Sequence, residues 1–341
     1  MPSSTSHSNP SQTIPCRALA LLAIAFATLL AAAAYTLWLN PEIRFYRHAA
    51  RVKLAWAEKM EKEHGAKTIV FGGSGTAFSV RPELMLGEQG IAVVNLGLHA
   101  GMEPPFLTAL AVSIARPGDT LIAAFEPDLL SSPFTSPDLA AQIGIALGRP
   151  ELVHASNLTG EPVHWVEDLL SLRPGAYHCF TLLGKIVLRK PLYRYAPAEI
   201  SASGWQRAND FRDIPDRPLA GSLSPDARKL LEKLRQWGEE HRVKVAFSMP
   251  WCYVTEPRVA AFRDANIRFL LEVSAILRVL KDPALGIHTV REHYADTEWH
   301  LTEEGAALRS SALAAQIKGG RYWTREELAR ESGEGRGKSS K

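Results

Sequence analysis

The feature that most constrains this 341-residue chain is an uncharged apolar run near its N-terminus, ALALLAIAFATLLAAAAYTLWL, from Ala18 to Leu39. At a rise of about 1.5 Å per residue, a helix of this length covers about 33 Å, enough to cross a hydrocarbon core of about 30 Å. Cleaved secretory signals have shorter apolar regions of about 7–15 residues, so the length favours a transmembrane helix after a tail of residues 1–17. The small residues Ala31–Ala34 leave cleavage open as the alternative.

The charges that flank the run bear on its orientation. Arg17 is the only Lys or Arg before it, whereas Arg44, Arg47, Arg51 and Lys53 follow it. The positive-inside rule alone would therefore place the large C-terminal part in the cytoplasm. Long domains are translocated largely regardless of charge, so the count leaves the orientation open.

Composition excludes several functional classes. With 39 Lys and Arg against 36 Asp and Glu, the net charge of +3 is too balanced for a dedicated nucleic-acid binder. Three cysteines exclude a disulfide-rich scaffold, although Cys179 and Cys252 would be able to pair in an oxidising compartment. No C-x-x-C or H-E-x-x-H segment occurs, so we expect neither a metal site nor a cofactor.

Beyond the run, short apolar segments alternate with helical patterns. The predicted strands are Thr68–Phe71, Ala92–Leu96, Thr120–Phe125 and Val243–Ser248, with a weaker fifth at Gly286–Val290. The predicted helices cover residues 41–64, 103–115, a segment that begins after the N-cap residue Ser224, about 257–280, and about 303–317. This alternation predicts an α/β domain with a parallel sheet covered by helices on both faces.

The same pattern sets the organisation of the chain. We expect a juxtamembrane helix at 40–65, an α/β domain at 66–320 and a polar, partly disordered tail at 321–341. Residues 131–222 carry nine prolines and no clear strand, which predicts a helical and irregular insertion between the third and fourth strands. Ligands of open parallel sheets bind beyond the carboxyl ends of the strands, where such an insertion would cap or shape the site.

A glycine-rich segment, Val70-Phe-Gly-Gly-Ser-Gly-Thr76, follows the first predicted strand. Small neighbours let the chain turn sharply and present Ser74 at the rim of the sheet as a nucleophile, the alternative being an ordinary β–α turn. Phosphate binding has little support. No Gly-Lys-Ser or Gly-Lys-Thr follows, and Phe78 stands where a G-x-G-x-x-G loop needs its third glycine.

A second polar segment, Tyr294-Ala-Asp-Thr-Glu-Trp-His-Leu-Thr-Glu-Glu-Gly305, precedes the last predicted helix. A serine hydroxyl needs a base near neutral pH, and a neutral imidazole has a suitable proton affinity. A carboxylate on the other ring nitrogen sets the tautomer and stabilises the imidazolium that forms. His300 and Asp296 supply both groups in one loop, although these residues also suit a plain helix-start loop.

A serine after the first strand and an Asp–His pair before the final helix is the layout of the SGNH, or GDSL-like, hydrolases. The chain resembles this superfamily over roughly 66–130 and 240–318, and in particular its membrane-anchored branch with the alginate O-acetylation and lipoteichoic-acid D-alanylation proteins. GGSGTAFSVRPELM resembles the first block, VVNLGLHAG the second and DTEWHLTEEG the closing block. The resemblance implies a flavodoxin-like three-layer parallel sheet.

The resemblance also implies roles for individual residues. Ser74 matches the nucleophile, His300 the base and Asp296 the orienting acid, although the commoner spacing, Asp-x-x-His, would place the acid at Thr297. Gly101, or alternatively Gly97, matches the second-block glycine that lends an amide to the oxyanion hole.

Four other residues, His99, Glu126, Trp251 and Tyr253, are weaker candidates for binding the substrate. The third-block Asn is missing, because the corresponding strand end reads Ala124-Phe-Glu-Pro-Asp128, with Glu126. His99 would face the same rim as Ser74, the alternative being a turn residue. Trp251 and Tyr253 follow the fourth predicted strand and would stack on a sugar ring, the alternative being packing.

Taken together, the expected function is a membrane-anchored serine esterase or O-acyltransferase. The resemblance implies a cell-envelope or exported polysaccharide as substrate, an acylated carbohydrate or other acyl donor, and other membrane proteins of a polysaccharide-modification system as partners. It also implies a bacterial inner-membrane protein with a periplasmic catalytic domain, against the charge count. The alternative is an inactive SGNH-like protein that binds glycan or a partner in an envelope-assembly complex.

Overall fold

The computed structural model describes residues 13–135, 138–160, 162–173, 176–208, 211–214 and 217–332. Most of the tail expected before residue 18 and the end of the tail expected after 320 lie outside these ranges. Within them, one helix is long and apolar enough to cross a membrane, Arg17–Leu39. It consists of most of α1 (Thr13–Ala34) and a π-helical turn, Tyr35–Leu39, and its large apolar side chains are exposed.

The rest of the described chain alternates strands and helices. The strands are β1 (Thr68–Phe71), β2 (Val93–Asn95), β3 (Thr120–Ala123), β4 (Lys244–Phe247), β5 (Cys252–Tyr253), β6 (Arg278–Leu280), β7 (Ile287–His288) and β8 (Tyr322–Trp323). The other helices are α2 (Pro41–His64), α3 (Ser74–Ser79), α4 (Pro82–Gln89), α5 (Glu103–Ile114), α6 (Pro127–Ser131), α7 (Asp138–Ala146), α8 (Ser156–Thr159), α9 (Trp165–Leu170), α10 (Ala176–Val187), α11 (Pro225–His241), α12 (Val259–Ser274), α13 (Glu303–Gly319) and α14 (Arg325–Glu331).

Six strands form the central sheet in the order β2-β1-β3-β4-β6-β8. The first five are parallel, and β8 is antiparallel to β6 at the edge. All four residues of β1 are buried, as expected for a strand covered on both faces. The predicted α/β class with a mostly parallel sheet is therefore confirmed.

The first four predicted strands contain β1, β2, β3 and β4, but the fifth does not belong to the central sheet. Gly286–Val290 contains β7, which pairs with β5 in a separate two-stranded sheet. The fifth strand of the central sheet is β6, which lies inside the predicted helix 257–280. The apolar pattern of α12 runs into that of β6 without a glycine or proline between them, so periodicity alone merges the two.

The insertion and the tail differ in how far they match expectation. The described residues of 131–222 form α7 to α10 and add no strand to either sheet. The tail, expected to be polar and partly disordered, forms β8 and α14 before residue 332. A capping box starts α14, with reciprocal hydrogen bonds between Thr324 and Glu327, and this Thr-x-x-Glu spacing was a readable signal.

The helix α2, which follows the apolar span, is part of the domain core. It packs against β2 and α7, and the Trp56 indole donates to the Val93 carbonyl at 2.8 Å. A row of its residues is buried, namely Ile43, Phe45, Tyr46, Ala49, Ala50, Lys53, Ala57 and Met60. The helix that leaves the apolar span is therefore packed directly against the sheet.

A buried polar network joins α2 to the first turns of the sheet. Asn95 at the end of β2 donates to the carbonyls of Thr76, Ala77 and Val80 at 2.7–3.1 Å. Its side-chain oxygen accepts from the Gly97 amide at 3.0 Å and from Lys53 Nζ at 3.3 Å.

Lys53 also donates to the carbonyl of Gly204 in the insertion. Its side chain is fully buried, and burial lowers the pKa of the amine to about 7. The network thus places an amine in the core that titrates far below its ordinary value.

We expect Lys53→Met to remove a pH dependence of stability. The unfolded chain holds the Lys53 proton up to its ordinary pKa of about 10.4, whereas the folded chain loses it near 7. Stability from this group therefore rises with pH between about 7 and 10, by at most about 1.4 kcal/mol per pH unit. Unfolding midpoints of the detergent-solubilised full-length protein should show that the stability of the wild type rises relative to that of Lys53→Met as the pH increases across this window. Lys59→Met, at an exposed lysine of α2, should keep the wild-type profile; identical profiles for both variants would contradict the assignment.

Candidate active site

The carboxyl ends of β1, β2 and β3 meet the loop before α13 around a cavity of about 320 Å³. Four sequence-predicted residues line it: Ser74, His99, Glu126 and His300. The crevice beyond the carboxyl ends is where open parallel sheets bind ligands. Two distant stretches of chain are therefore brought into one site.

Ser74 is the first residue of α3 and is half-buried. The turn before it needs small residues, because a Cβ at Gly72 would overlap the Ala124 carbonyl and one at Gly73 would overlap the Glu126 carboxyl. Among the described residues, no group hydrogen-bonds to the Ser74 hydroxyl. The hydroxyl thus lines the cavity without a partner that would hold it away from a substrate.

His300 and Asp296 form a buried pair. His300 Nδ1 lies 2.8 Å from Asp296 Oδ1, and both side chains are less than a tenth exposed. An ionised carboxylate can only accept a hydrogen bond, so Nδ1 of His300 carries the ring proton. Nε2 is then the unprotonated nitrogen that can accept a proton. The longer spacing, Asp-x-x-x-His, therefore still lets the carboxylate reach the ring.

Neighbouring groups hold this pair and keep the imidazole neutral. The Phe78 ring stacks on His300 with centroids 4.0 Å apart, and the Arg194 guanidinium pairs with Asp296 Oδ2. Burial, with the nearby charges of Arg194 and Arg217, lowers the pKa of His300 to about 3. Nε2 is consequently free of a proton at neutral pH.

Glu126 occupies the position between the serine turn and the cavity. Its Oε1 accepts from the Gly75 amide at 2.6 Å, and Oε2 is buried without a hydrogen-bond partner among the described residues. Burial raises the pKa of Glu126 to about 7, even though the amide bond favours the charged form. The group is therefore partly protonated at neutral pH.

The two glycines expected to lend an oxyanion amide have partners within their own loop. The Gly97 amide donates to Asn95 Oδ1, and the Gly101 amide donates to His99 Nδ1 at 2.9 Å. A Cβ at Gly97 would overlap the Ala77 amide, so this glycine serves the close approach of the loop to α3. Burial, with a smaller effect of His300, lowers the pKa of His99 to about 4, so His99 is neutral and lines the cavity.

The aromatic candidates after β4 lie elsewhere. Trp251 packs on the His288 ring at 3.7 Å between centroids, and Tyr253 contacts Tyr294 at 5.7 Å; neither residue lines the cavity. Cys179 is an exposed thiol and Cys252 a buried one, and the two do not form a disulfide. Sugar stacking on Trp251 or Tyr253 would therefore need a site other than this cavity.

Several residues of the cavity wall were not predicted from sequence patterns. Tyr46 comes from α2, while Tyr193, Arg194 and Tyr195 follow α10 and Arg217 lies later in the insertion. The Tyr46 and Tyr193 hydroxyls are 3.0 Å apart, and Arg217 pairs with Glu298 at 2.6 Å. No motif marks these residues; the only available signal was the aromatic and basic composition of the segment 193–195.

No protein-family model, curated protein or solved structure matches the chain. Within the described ranges, no group of three or more His, Cys, Asp or Glu side chains is placed to hold a metal ion. The chemistry proposed for the site therefore rests on the site's own geometry.

We expect Arg194→Gln to raise the pKa of His300 toward its ordinary value without reaching it. The variant removes a nearby positive charge, whereas burial, the larger cause of the low pKa, remains. Titration of carbon-13-labelled histidine by NMR would measure the shift. Arg235→Gln, on α11, is the control and should leave the His300 titration unchanged; a His300 pKa that stays or falls in Arg194→Gln would contradict the expectation.

Proposed function

We propose that this chain is a membrane-anchored serine esterase or O-acyltransferase of the SGNH type, acting on ester groups of a cell-envelope or exported polysaccharide. The observation that carries the proposal is the meeting of Ser74 with the His300–Asp296 pair in one cavity. The proposed location is the bacterial inner membrane, with the α/β domain on the periplasmic side. The apolar helix Arg17–Leu39 supports the anchor.

The strand order supports the family assignment. Counted along the chain, the five parallel strands of the central sheet lie in the order 2-1-3-4-5, the order of flavodoxin-like doubly wound sheets. The serine follows the first of these strands and the Asp–His pair precedes α13, as the sequence resemblance requires. A fold of this kind hosts many activities, so the function rests on the site.

In the proposed reaction, Ser74 Oγ attacks the ester carbonyl carbon while His300 Nε2 takes the hydroxyl proton. Asp296 accepts from Nδ1 and stabilises the imidazolium. Collapse of the tetrahedral intermediate breaks the bond to the leaving alcohol, which receives the proton from His300. Water then accepts the acyl group in an esterase, or a sugar hydroxyl in a transferase, and His300 again moves the proton.

Glu126 supplies the oxyanion donor that the missing third-block Asn would have given. Glu126 lines the cavity, and in its neutral form the carboxyl carries one proton that it can donate. A neutral acid can donate to a developing oxyanion, whereas an ionised one would repel it. The pKa near 7 makes the neutral form available at and below neutral pH.

The cavity wall supports a carbohydrate-bearing substrate. Four aromatic side chains line it, from Tyr46, Tyr193, Tyr195 and Trp299, beside the charged groups already described. Apolar walls with a few placed polar groups are typical of small-molecule sites. An aromatic wall offers flat faces to the C–H surfaces of a sugar ring.

The second candidate is an inactive protein that binds glycan or a partner of an envelope-assembly complex. The observation that favours it is Glu126, since an ionised carboxylate bound to the Gly75 amide would occupy the region where an oxyanion should form. Activity and its pH dependence separate the two candidates.

We expect a fluorophosphonate probe to label the full-length protein in detergent, and Ser74→Ala to abolish the labelling. His300→Ala should strongly reduce it, because the hydroxyl loses its base. Ser113→Ala, at a half-buried serine of α5 that bonds the Leu110 carbonyl, is the matched control and should label like the wild type. A folded wild type that takes no label would favour the binding protein.

We expect hydrolysis of p-nitrophenyl acetate by the wild type to fall as pH rises through about 7, because Glu126 loses its proton there. Glu126→Gln should keep its activity above pH 7, since an amide donates at any pH, and Glu126→Ala should lose about 100- to 1,000-fold. Rates measured over pH 5 to 9, corrected for spontaneous hydrolysis, test this. Wild-type activity that rises through pH 7, together with an inactive Glu126→Gln, would exclude the donor role.

A further inference from the structure

We propose that α9 and α10 form a second, peripheral membrane contact that lies in the bilayer interface beside the end of the apolar span. We call this surface the interfacial patch. It consists of exposed apolar side chains: Trp165, Val166, Leu169 and Leu170 of α9; Phe180, Leu183, Ile186 and Val187 of α10; and Leu188 and Leu192 just after it.

The clustering of these side chains needs an explanation. Outside the apolar span, ten of the fourteen large apolar side chains found exposed in the described ranges belong to the patch. The other four, Phe211, Leu219, Val290 and Leu308, come from separate parts of the chain. Single exposed apolar residues are ordinary, whereas a contiguous group marks a surface that meets another apolar phase.

The contacts of the patch identify that phase. The Tyr35 hydroxyl, near the end of the span, lies 3.2 Å from His178 Nε2 in α10, and the Thr36 hydroxyl donates to the Leu172 carbonyl between α9 and α10 at 2.6 Å. The start of α10 and the segment just after α9 are thus held directly against the last turns of the span, next in the chain to the patch residues of both helices. Since those turns leave the hydrocarbon core, the bilayer interface is the apolar surface that α9 and α10 meet there.

The pattern of α10 suits a helix that lies in an interface. Phe180, Leu183 and Val187 are spaced to share one face, and the apolar segment His178–Val187 is too short to cross a membrane. The basic residues Arg189 and Lys190 follow at the end of the helix and are exposed. An apolar face with basic residues beside it is the composition of interfacial helices on anionic lipid.

The contact has a consequence for the cavity. A few residues after α10, the chain supplies Tyr193, Arg194 and Tyr195 to the cavity wall. An interfacial α10 therefore fixes that wall close to the lipid surface. This consequence rests on the proposed function, whereas the contact itself depends only on the anchor.

Nitroxide labels on the full-length protein in phosphatidylethanolamine–phosphatidylglycerol nanodiscs would test the contact. Single cysteines replace Phe180 and Val187, which are 74% and 71% exposed and so can be changed without loss of packing. The background carries Cys16→Ala and Cys179→Ala and keeps the buried Cys252. Leu308→Cys, 46% exposed on α13, is the aqueous control, and Leu30→Cys reports on the span.

We expect labels at 180 and 187 to lose access to a water-soluble nickel chelate and keep access to oxygen, with the label at 308 open to nickel. Equal nickel access at 180, 187 and 308, with the label at 30 protected, would overturn the patch while leaving the anchor intact. Nickel access at 30 would overturn the anchor, and the patch with it. Dipolar broadening between labels at 180 would identify a second copy of the chain as the occupant and would also overturn the proposal. The probe-labelling result at Ser74 is independent of all four outcomes.

Discussion

The candidate site depends on the side chain of Asn95, which holds together segments far apart in the chain. Its amide group donates to two carbonyls of α3 and to the carbonyl of the residue that follows α3, so the helix that carries Ser74 is fixed to the end of β2. Its side-chain oxygen accepts hydrogen bonds from the Gly97 amide in the next loop and from the Lys53 amine in α2. Because Lys53 also bonds the Gly204 carbonyl, α2 and the insertion are set against the sheet at the same point. Fully satisfied buried networks of this kind specify one arrangement of their elements.

Two carboxyl groups near the proposed nucleophile have opposite environments. Asp296 is held by Arg194 and His300, so its negative charge is balanced by a guanidinium and a ring N–H. Glu126 is fully buried, and burial raises its pKa even though backbone amides, including that of Gly75, favour the charged form. Different environments let one site hold a charged and a neutral carboxyl group at the same pH. In the proposed reaction, this difference lets Asp296 act as a charge and Glu126 as a neutral donor.

The parts predicted from sequence are those whose signal is local. The apolar span, the first four strands and the loop positions of Ser74 and of the His300–Asp296 pair each follow from residues within a short window, and the described elements match them. The prediction that these two loops share one site came from the resemblance to a known family. β6 was missed because three residues of strand continue the apolar pattern of a preceding helix. Other features depend on how distant segments pack, which no short window of sequence contains. They are the hydrogen-bonded amides of Gly97 and Gly101 and the parts of the cavity wall that come from Tyr46, Tyr193 and Arg217. Sequence indicated that Glu126 departs from the motif of the family that the chain resembles, but only its burial and the Gly75 amide suggest a use for it.

In the proposed reaction, the two structural sources of the cavity wall bear on where the acyl donor comes from. The segments beyond the carboxyl ends of the strands supply the proposed catalytic groups, whereas α2 and the segment after α10 supply much of the remaining wall. Both of these segments are joined to the apolar span, α2 through the chain and α10 through Tyr35. If the span crosses a bilayer, the wall cannot move far from the lipid surface, so esters on a polymer or carrier at that surface come within reach. Transfer also requires an acyl donor and a sugar hydroxyl in the same place, and a membrane-fixed cavity favours a donor delivered from the membrane over one diffusing freely in solution.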